Sequence, residues 1–149
     1  MAEQPAGAWV ARNAATIPKT LVNAELFGNA KDYPNAGMPA RPGLVGAADG
    51  GALVLDEFAE LPELAQASLL RVMDDGAYHR LGEDRERRTR MRLIALTNRA
   101  PEAVKHDVLA RFIHRFTLPM LSARRQDLAL ILRHCLLYTS DAADEGHWV

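Results

Sequence analysis

The sequence predicts an α/β domain built on an open, mostly parallel sheet with helices on both faces. Three observations predict it. Two short runs, Ala52–Asp56 and Met91–Leu96, are almost uniformly apolar, as strands covered by helices are. Segments of helical period alternate with them. The chain has 149 residues, 48% of them hydrophobic, which suits one ordinary core and not two.

Taken in order, Trp9 to Ala11 is a short apolar strand, and Asn13 stands where it ends. Thr16, Ile17 and Pro18 form a helix start, a capping hydroxyl followed by a proline tolerated in the first turn. That helix runs through Leu21, Ala24, Glu25 and Leu26 and is closed by Gly28. Residues 28–42, GNAKDYPNAGMPARP, carry three prolines among turn formers and predict a long surface loop, a kind that is often functional.

Ala52–Asp56 is the first buried strand. After Pro62, the residues Leu61, Leu64, Ala65, Leu69, Val72 and Met73 recur at helical spacing as a core stripe, and Gly76 ends the segment. Tyr78–Leu81 and Glu86–Arg90 flank Gly82-Glu83-Asp84 as a small hairpin. Met91–Leu96 is the second buried strand and ends in Thr97-Asn98. Pro101–Phe112 reads as a helix with Val104, Val108, Leu109 and Phe112 on one face. Phe116–Leu118 is a further short strand, and Arg124–His134 a last helix.

Lys and Arg total 18 against 19 for Asp and Glu, so no charge excess demands a nucleic acid or an anionic membrane. The apolar runs fall far short of the roughly 20 residues that span a bilayer. MAEQPAGAWV lacks the basic start and apolar run of a secretory signal, which predicts a cytoplasmic protein. Cys135 has no second cysteine to pair with, and the five histidines (His79, His106, His114, His134, His147) lack zinc-ligand spacing.

The chemistry sits at the strand ends. Phosphate hydrolysis needs one carboxylate for the magnesium shell and another to orient or deprotonate the attacking water. Asp56 and Glu57, closing a buried strand, supply both, Asp56 on the magnesium side and Glu57 on the water side. The dipeptide alone fits a helix-capping Asp56 and a solvated Glu57 equally well. Asn98, at the tip of the second apolar strand, tips the balance toward a site, although strand-end asparagine is also a common turn residue.

Five stretches then make a resemblance specific: NAATIPKTLVNAELFG, RPGLVGAADGGALVLDEFAELP, LLRVMDDGAYHRLG, RLIALTNR and LPMLSARRQDL. From Trp9 to about His134 the chain resembles the AAA+ domain of sigma-54-dependent transcriptional activators. The resemblance implies a three-layer P-loop-type fold over residues 1–134, with ATP and Mg2+ as cofactors. It also implies that Asp56 and Glu57 are the Walker B pair, Thr97 and Asn98 the first sensor, and Asn13 the switch asparagine that holds the catalytic glutamate off its water. Such proteins assemble as rings, commonly hexamers, in which arginines of one protomer reach the neighbour's terminal phosphate. In VKHDVLARF the two arginine positions of that helix hold Lys105 and Arg111, making Arg111 the candidate finger and Arg115 the next. A plain helix-end arginine is the alternative, and Lys105 lacks the planar fork of arginine.

The chain also departs from the family pattern. No GxxxxGK[ST] occurs in it, so the first strand and the phosphate loop with its helix are expected to lie upstream of Trp9, and the helical lid is expected to be missing because the native chain is expected to stop near His134. The polypeptide alone is expected not to hydrolyse ATP. Where activators carry GAFTGA, this chain has Asp32-Tyr33-Pro34-Asn35-Ala36-Gly37. Tyr33, Pro34 and Asn35 are the candidate partner-contacting residues, but the threonine is gone and Pro34 stiffens the loop, which counts against direct contact with sigma-54. The same residues also make an ordinary turn. Residues 135–149, beginning CLLYTSDAADE, resemble a translated adapter and are expected to be non-native. DNA would be contacted only through a domain absent from this chain. Arg85, Arg87, Arg88, Arg90 and Arg92 form a basic run, with Arg88, Arg90 and Arg92 placed on one strand face. A solvated or subunit-facing surface is the reading for that run, since no aromatic residue is interleaved to stack a base. Tyr78 and His79 lie where the family's second pore loop runs, and a structural hairpin accounts for them equally.

Overall fold

The computed structural model describes residues 7–144, which fall into two compact units divided after Ile113. The first unit is built on strands β1 (Trp9–Asn13), β2 (Ala52–Asp56) and β5 (Arg92–Ala95), hydrogen-bonded in the order β1-β2-β5 and all parallel. A second ladder pairs β3 (Ala77–Tyr78) with β4 (Arg87–Arg88) antiparallel. Helices α1 (Val22–Phe27), α2 (Gly43–Ala47), α3 (Glu63–Asp75) and α4 (His106–Arg111) complete the unit. In the second unit, single 3₁₀ turns at Leu121–Ala123 and Arg125–Asp127 precede α5 (Leu128–Asp144).

Register explains how the core forms. Val10 lies opposite Leu53, and Leu53 opposite Leu93, so these three share one face of the sheet with Leu55 and Ala95. Leu53 and Leu55 are fully buried on that face and join one continuous cluster with buried residues of all four helices, among them Leu26, Val45, Leu69 and Val108. The apolar run of β2 predicts cover on both faces. The opposite face, carrying Trp9, Val54 and Ile94, is instead half-buried to exposed, because the helices of this unit gather their buried side chains into the cluster on the first face. β5 pairs with β2 alone among the described residues and so lies at the sheet edge, and Ile94 on it and Leu96 just after it are exposed where a buried strand was expected.

Several boundaries move from their expected places. Thr16 does not start a helix; it ends a 3₁₀ turn (Ala14–Thr16), and its hydroxyl donates to the Asn13 carbonyl at 2.8 Å, so α1 begins only at Val22. On α3, Ala65, Leu69 and Val72 are buried as the period predicts, but Leu64 faces solvent and Gln66 is buried in its place. The expected helix 101–112 is broken, because the Lys105 N–H donates to Gln66 Oε1 at 3.0 Å instead of to its own helix. Phe116–Leu118 forms no strand: it has no ladder partner among the described residues. Arg88, Arg90 and Arg92 do not share a strand, since β4 ends at Arg88 and β5 begins at Arg92. The last helix continues past His134 to Asp144.

The long loop is closed at its mouth. Asn29 and Arg41 exchange both backbone hydrogen bonds, at 3.1 and 3.0 Å. The buried Asn29 side chain donates to the carbonyls of Ala30, Pro39 and Tyr33 at 2.9, 3.0 and 3.3 Å, and so tethers a loop whose residues 31–40 are all exposed. Gly28 and Gly43 meet backbone to backbone at this mouth, where a Cβ on either would overlap the other strand of the loop. Among the described residues no helix is long and apolar enough to cross a membrane.

Candidate functional site

Parallel strands in register bring their carboxyl ends to one edge of the sheet, and the polar residues gather there. Asn13 lies opposite Asp56, the last pair of the β1–β2 ladder. Beyond β5, the Leu96 N–H donates to the Leu55 carbonyl at 2.9 Å, and the Leu96 carbonyl accepts from Phe58 N–H at 2.8 Å. The chain leaving β2 is thereby pinned to the chain leaving β5, with Asp56-Glu57 on one and Thr97-Asn98 on the other.

Glu57 makes the turn between β2 and the 3₁₀ turn Phe58–Glu60, with φ 52° and ψ 43°. A non-glycine residue in this left-handed region costs on the order of 1 kcal/mol. Two contacts hold it there. Its N–H donates to Asp56 Oδ1 at 2.9 Å, and Asn98 Nδ2 donates to its Oε1 at 3.3 Å. Phe58, immediately after, is buried and meets Phe112 edge to face at 5.9 Å between ring centroids, which anchors the turn in the core. The result is a half-buried carboxylate carried on a strained backbone turn at a strand end, with an amide from beyond the neighbouring strand on one oxygen.

The other expected site residues are placed differently. The side chain of Asn13 turns back on its own chain: Oδ1 accepts the Ala15 N–H at 2.8 Å and caps the 3₁₀ turn. Its backbone is beside Asp56, but among the described residues no hydrogen bond joins its side chain to Glu57. Thr97 Oγ1 accepts the Arg99 N–H at 3.1 Å and shapes the turn after β5, while Arg99 is ion-paired with Glu60. Arg111, at the end of α4, is held by Asp74 of α3 through Nε to Oδ1 and through Nη2 to Oδ2 at 3.3 Å. This fork lowers the Asp74 pKa and raises that of Arg111, each chiefly through the shared hydrogen bond. Lys105 reaches Glu63 at 3.9 Å, and Arg115 lies in the second unit. In the loop, the Tyr33 ring packs on Gly82 of the β3–β4 hairpin so closely that a Cβ there would collide with it.

Among the described residues no group of three or more His, Cys, Asp or Glu side chains converges on a metal position. The donor set does fit magnesium delivered with a nucleotide. That ion keeps several waters and takes one or two carboxylates plus phosphate oxygens. Asp56 is exposed, and only its Oδ1 accepts a hydrogen bond among the described residues, which leaves Oδ2 to such an ion.

Sequence reasoning did not single out three residues that hold the site's surroundings together. Gln66 bridges α3 to Lys105 and the Leu61 carbonyl, Asn29 closes the loop, and Asp49 accepts from Arg90 N–H and Thr89 Oγ1 at 2.8 and 3.1 Å. Only for Gln66 did the sequence carry a signal, a polar residue beside the apolar stripe of α3.

Comparison with known proteins is consistent with this geometry. A family model described as the sigma-54 interaction domain matches residues 1–121. The nitric oxide reductase transcription regulator NorR2 of Cupriavidus necator is 41% identical over 80% of this chain and 24% of its own length. The transcriptional regulatory protein XylR of Pseudomonas putida is 41% identical over 91% of this chain and 25% of its own. The chain thus spans about a quarter of the length of these relatives. Among solved structures, NtrX from Brucella abortus in complex with ADP superposes with a TM-score of 0.75 at 30% identity, over 88% of this chain and 30% of that one.

Proposed function

The chain belongs to the family of sigma-54 interaction domains, and we propose that it carries the magnesium and water end of an ATP-hydrolysing site in a bacterial transcriptional regulator. In this reading Asp56 and Glu57 are the Walker B pair. The observation that carries it is the strained turn at Glu57, fixed by Asn98 from the neighbouring strand at the carboxyl edge of a parallel sheet.

Each residue then has a task. Asp56 holds the magnesium shell, and the ion supplies neutralisation of phosphate charge when bound. Glu57 orients the attacking water and takes its proton. Asn98 fixes the direction of the Glu57 carboxylate, and Thr97 shapes the turn that presents Asn98. Asn13 caps its own chain here, so a switch role requires its side chain to leave the Ala15 N–H for Glu57. Arg111 serves in trans, in a ring of protomers, commonly a hexamer, where its charge stabilises the transferring phosphate of the neighbour. The Asp74 clamp must open for that.

NtrX, a structural neighbour, has been solved with ADP and with ATP, which supports nucleotide as the ligand of this fold. This chain contains no GxxxxGK[ST], so ATP turnover in this reading belongs to the whole protein. Turnover by the intact protein, with none by this chain alone, is the expected result. Turnover by this chain alone that Glu57→Gln abolishes would overturn that assignment.

A second reading is a regulatory module that keeps the fold without touching sigma-54. It is favoured by Asp32-Tyr33-Pro34-Asn35-Ala36-Gly37 in place of GAFTGA and by the seating of Tyr33 on Gly82. Crosslinking from Tyr33 to sigma-54 holoenzyme, beside a GAFTGA-bearing control, separates the two.

A further inference from the structure

The β3–β4 hairpin and α2 border an open, largely polar cleft of about 460 Å³. Four arginines line it, Arg80, Arg85, Arg87 and Arg88, against two carboxylates, Asp49 and Glu86. Their charges are not evenly matched. Arg87 is neutralised by Glu83 through two hydrogen bonds, at 2.8 and 3.0 Å, and Arg88 by Glu86 at 3.2 Å. Glu86 is shared with Arg71 at 3.7 Å. Asp49 spends Oδ1 on Arg90 N–H and the Thr89 hydroxyl. Arg80 and Arg85 form no ion pair among the described residues, although both lower the Glu83 pKa from a distance.

Arg80 is the decisive group. Its Nε is buried and has no acceptor among the described residues. The rest of this half-buried side chain carries the charge, with no carboxylate to neutralise it among the described residues. Gly46 of α2, which offers no side chain, also lines the cleft, and the Tyr78 hydroxyl stands beside it. The cleft is therefore lined by two guanidinium groups that have no carboxylate partner among the described residues, those of Arg80 and Arg85, and by Tyr78.

We propose that this cleft is a phosphate-binding site, in which Arg80 and Arg85 clamp the phosphoryl oxygens and the Tyr78 hydroxyl donates to them. Arginine forks match phosphate oxygens in geometry as well as charge. The site is separate from the strand-end carboxylates and does not depend on the reading of those residues. Two sources supply the same chemistry, a free phosphate or nucleotide and the backbone of a single-stranded nucleic acid, and the cleft volume admits either.

The test is titration of the full chain at low salt, with pyrophosphate by calorimetry in one arm and with a fluorescent oligo-dT by anisotropy in the other. Wild-type chain is expected to bind in at least one arm. Arg80→Ala/Arg85→Ala is expected to weaken that binding by about tenfold or more. Lys19→Ala/Lys31→Ala, which removes equal charge outside the cleft, is expected to leave it within about twofold. Pyrophosphate alone binding identifies a free phosphate or nucleotide as the source, and the oligonucleotide binding more tightly identifies a nucleic-acid backbone. Because Arg80→Ala removes a partly buried side chain, Arg85→Ala alone and Arg80→Lys are measured as well, each checked for an unchanged circular dichroism spectrum. Weakening by Arg85→Ala in a folded chain supports the site. Failure of wild-type chain to bind either probe, or equal losses in the cleft and control variants, overturns it.

Discussion

Asn98 Nδ2 donates to Glu57 Oε1 at 3.3 Å, across the gap between the ends of two adjacent parallel strands. The bond ties the direction of a carboxylate to a turn fixed by another strand. If Asn98 aims Glu57 at water, Asn98→Ala in the intact protein lowers kcat for ATP by about tenfold or more while KM changes little. Asn98→Asp, which sets a like charge beside Glu57, lowers it further. A kcat within about twofold of wild type in both variants counts against the aiming role.

Arg111 and Asp74 make a second such pair, now between helices. Arg111→Ala is expected to cut turnover of the intact protein by about 10³-fold, the scale of a lost arginine finger. Asp74→Asn, which weakens the clamp, leaves turnover unchanged or raises it. Mixing Arg111→Ala with Glu57→Gln protomers should restore part of the activity, because some interfaces then join an intact arginine to an intact glutamate. No recovery on mixing removes Arg111 from the trans role.

Gln66 is buried and satisfies two backbone groups, donating to the Leu61 carbonyl and accepting from Lys105 N–H, each at 3.0 Å. Gln66→Leu keeps the volume and strands both. The expected loss is roughly 1–3 kcal/mol per stranded group, read from urea unfolding of this chain. An unchanged midpoint would show that water replaces both bonds.

These two helical contacts also show where sequence reading stops. β2 was legible to the residue, because an apolar run between Gly51 and a carboxylate pair is a local signal. The ends of α3 were legible from Pro62 and Gly76 for the same reason. The break before α4 was not, since the acceptor for Lys105 N–H lies 39 residues away on Gln66. Phe116–Leu118 has strand composition, yet a strand exists only where a neighbour receives its hydrogen bonds. Asp56, Glu57 and Asn98 could be listed from the chain, but the left-handed turn at Glu57 and the turning away of Asn13 depend on how the strand ends are pinned.

Asp49 gives a pH signature. Its pKa is held below the ordinary 3.8, first by the hydrogen bond from Arg90 N–H and then by that from Thr89. A carboxylate with a depressed folded pKa stabilises the fold fully above its unfolded value and loses that contribution as pH falls through the folded value. The melting temperature of wild type should therefore exceed that of Asp49→Asn at pH 6, and the gap should close as pH drops below 3.8. A gap that is constant with pH would place the effect in the amide's packing and not in charge.

The central claim is that Glu57 is the water-activating carboxylate of an ATPase site. The most direct measurement is nucleotide binding and steady-state turnover of the intact protein with Glu57→Gln. The expected result is ATP affinity close to wild type with turnover reduced by about 100-fold or more. Turnover within about twofold of wild type at unchanged affinity would contradict the account.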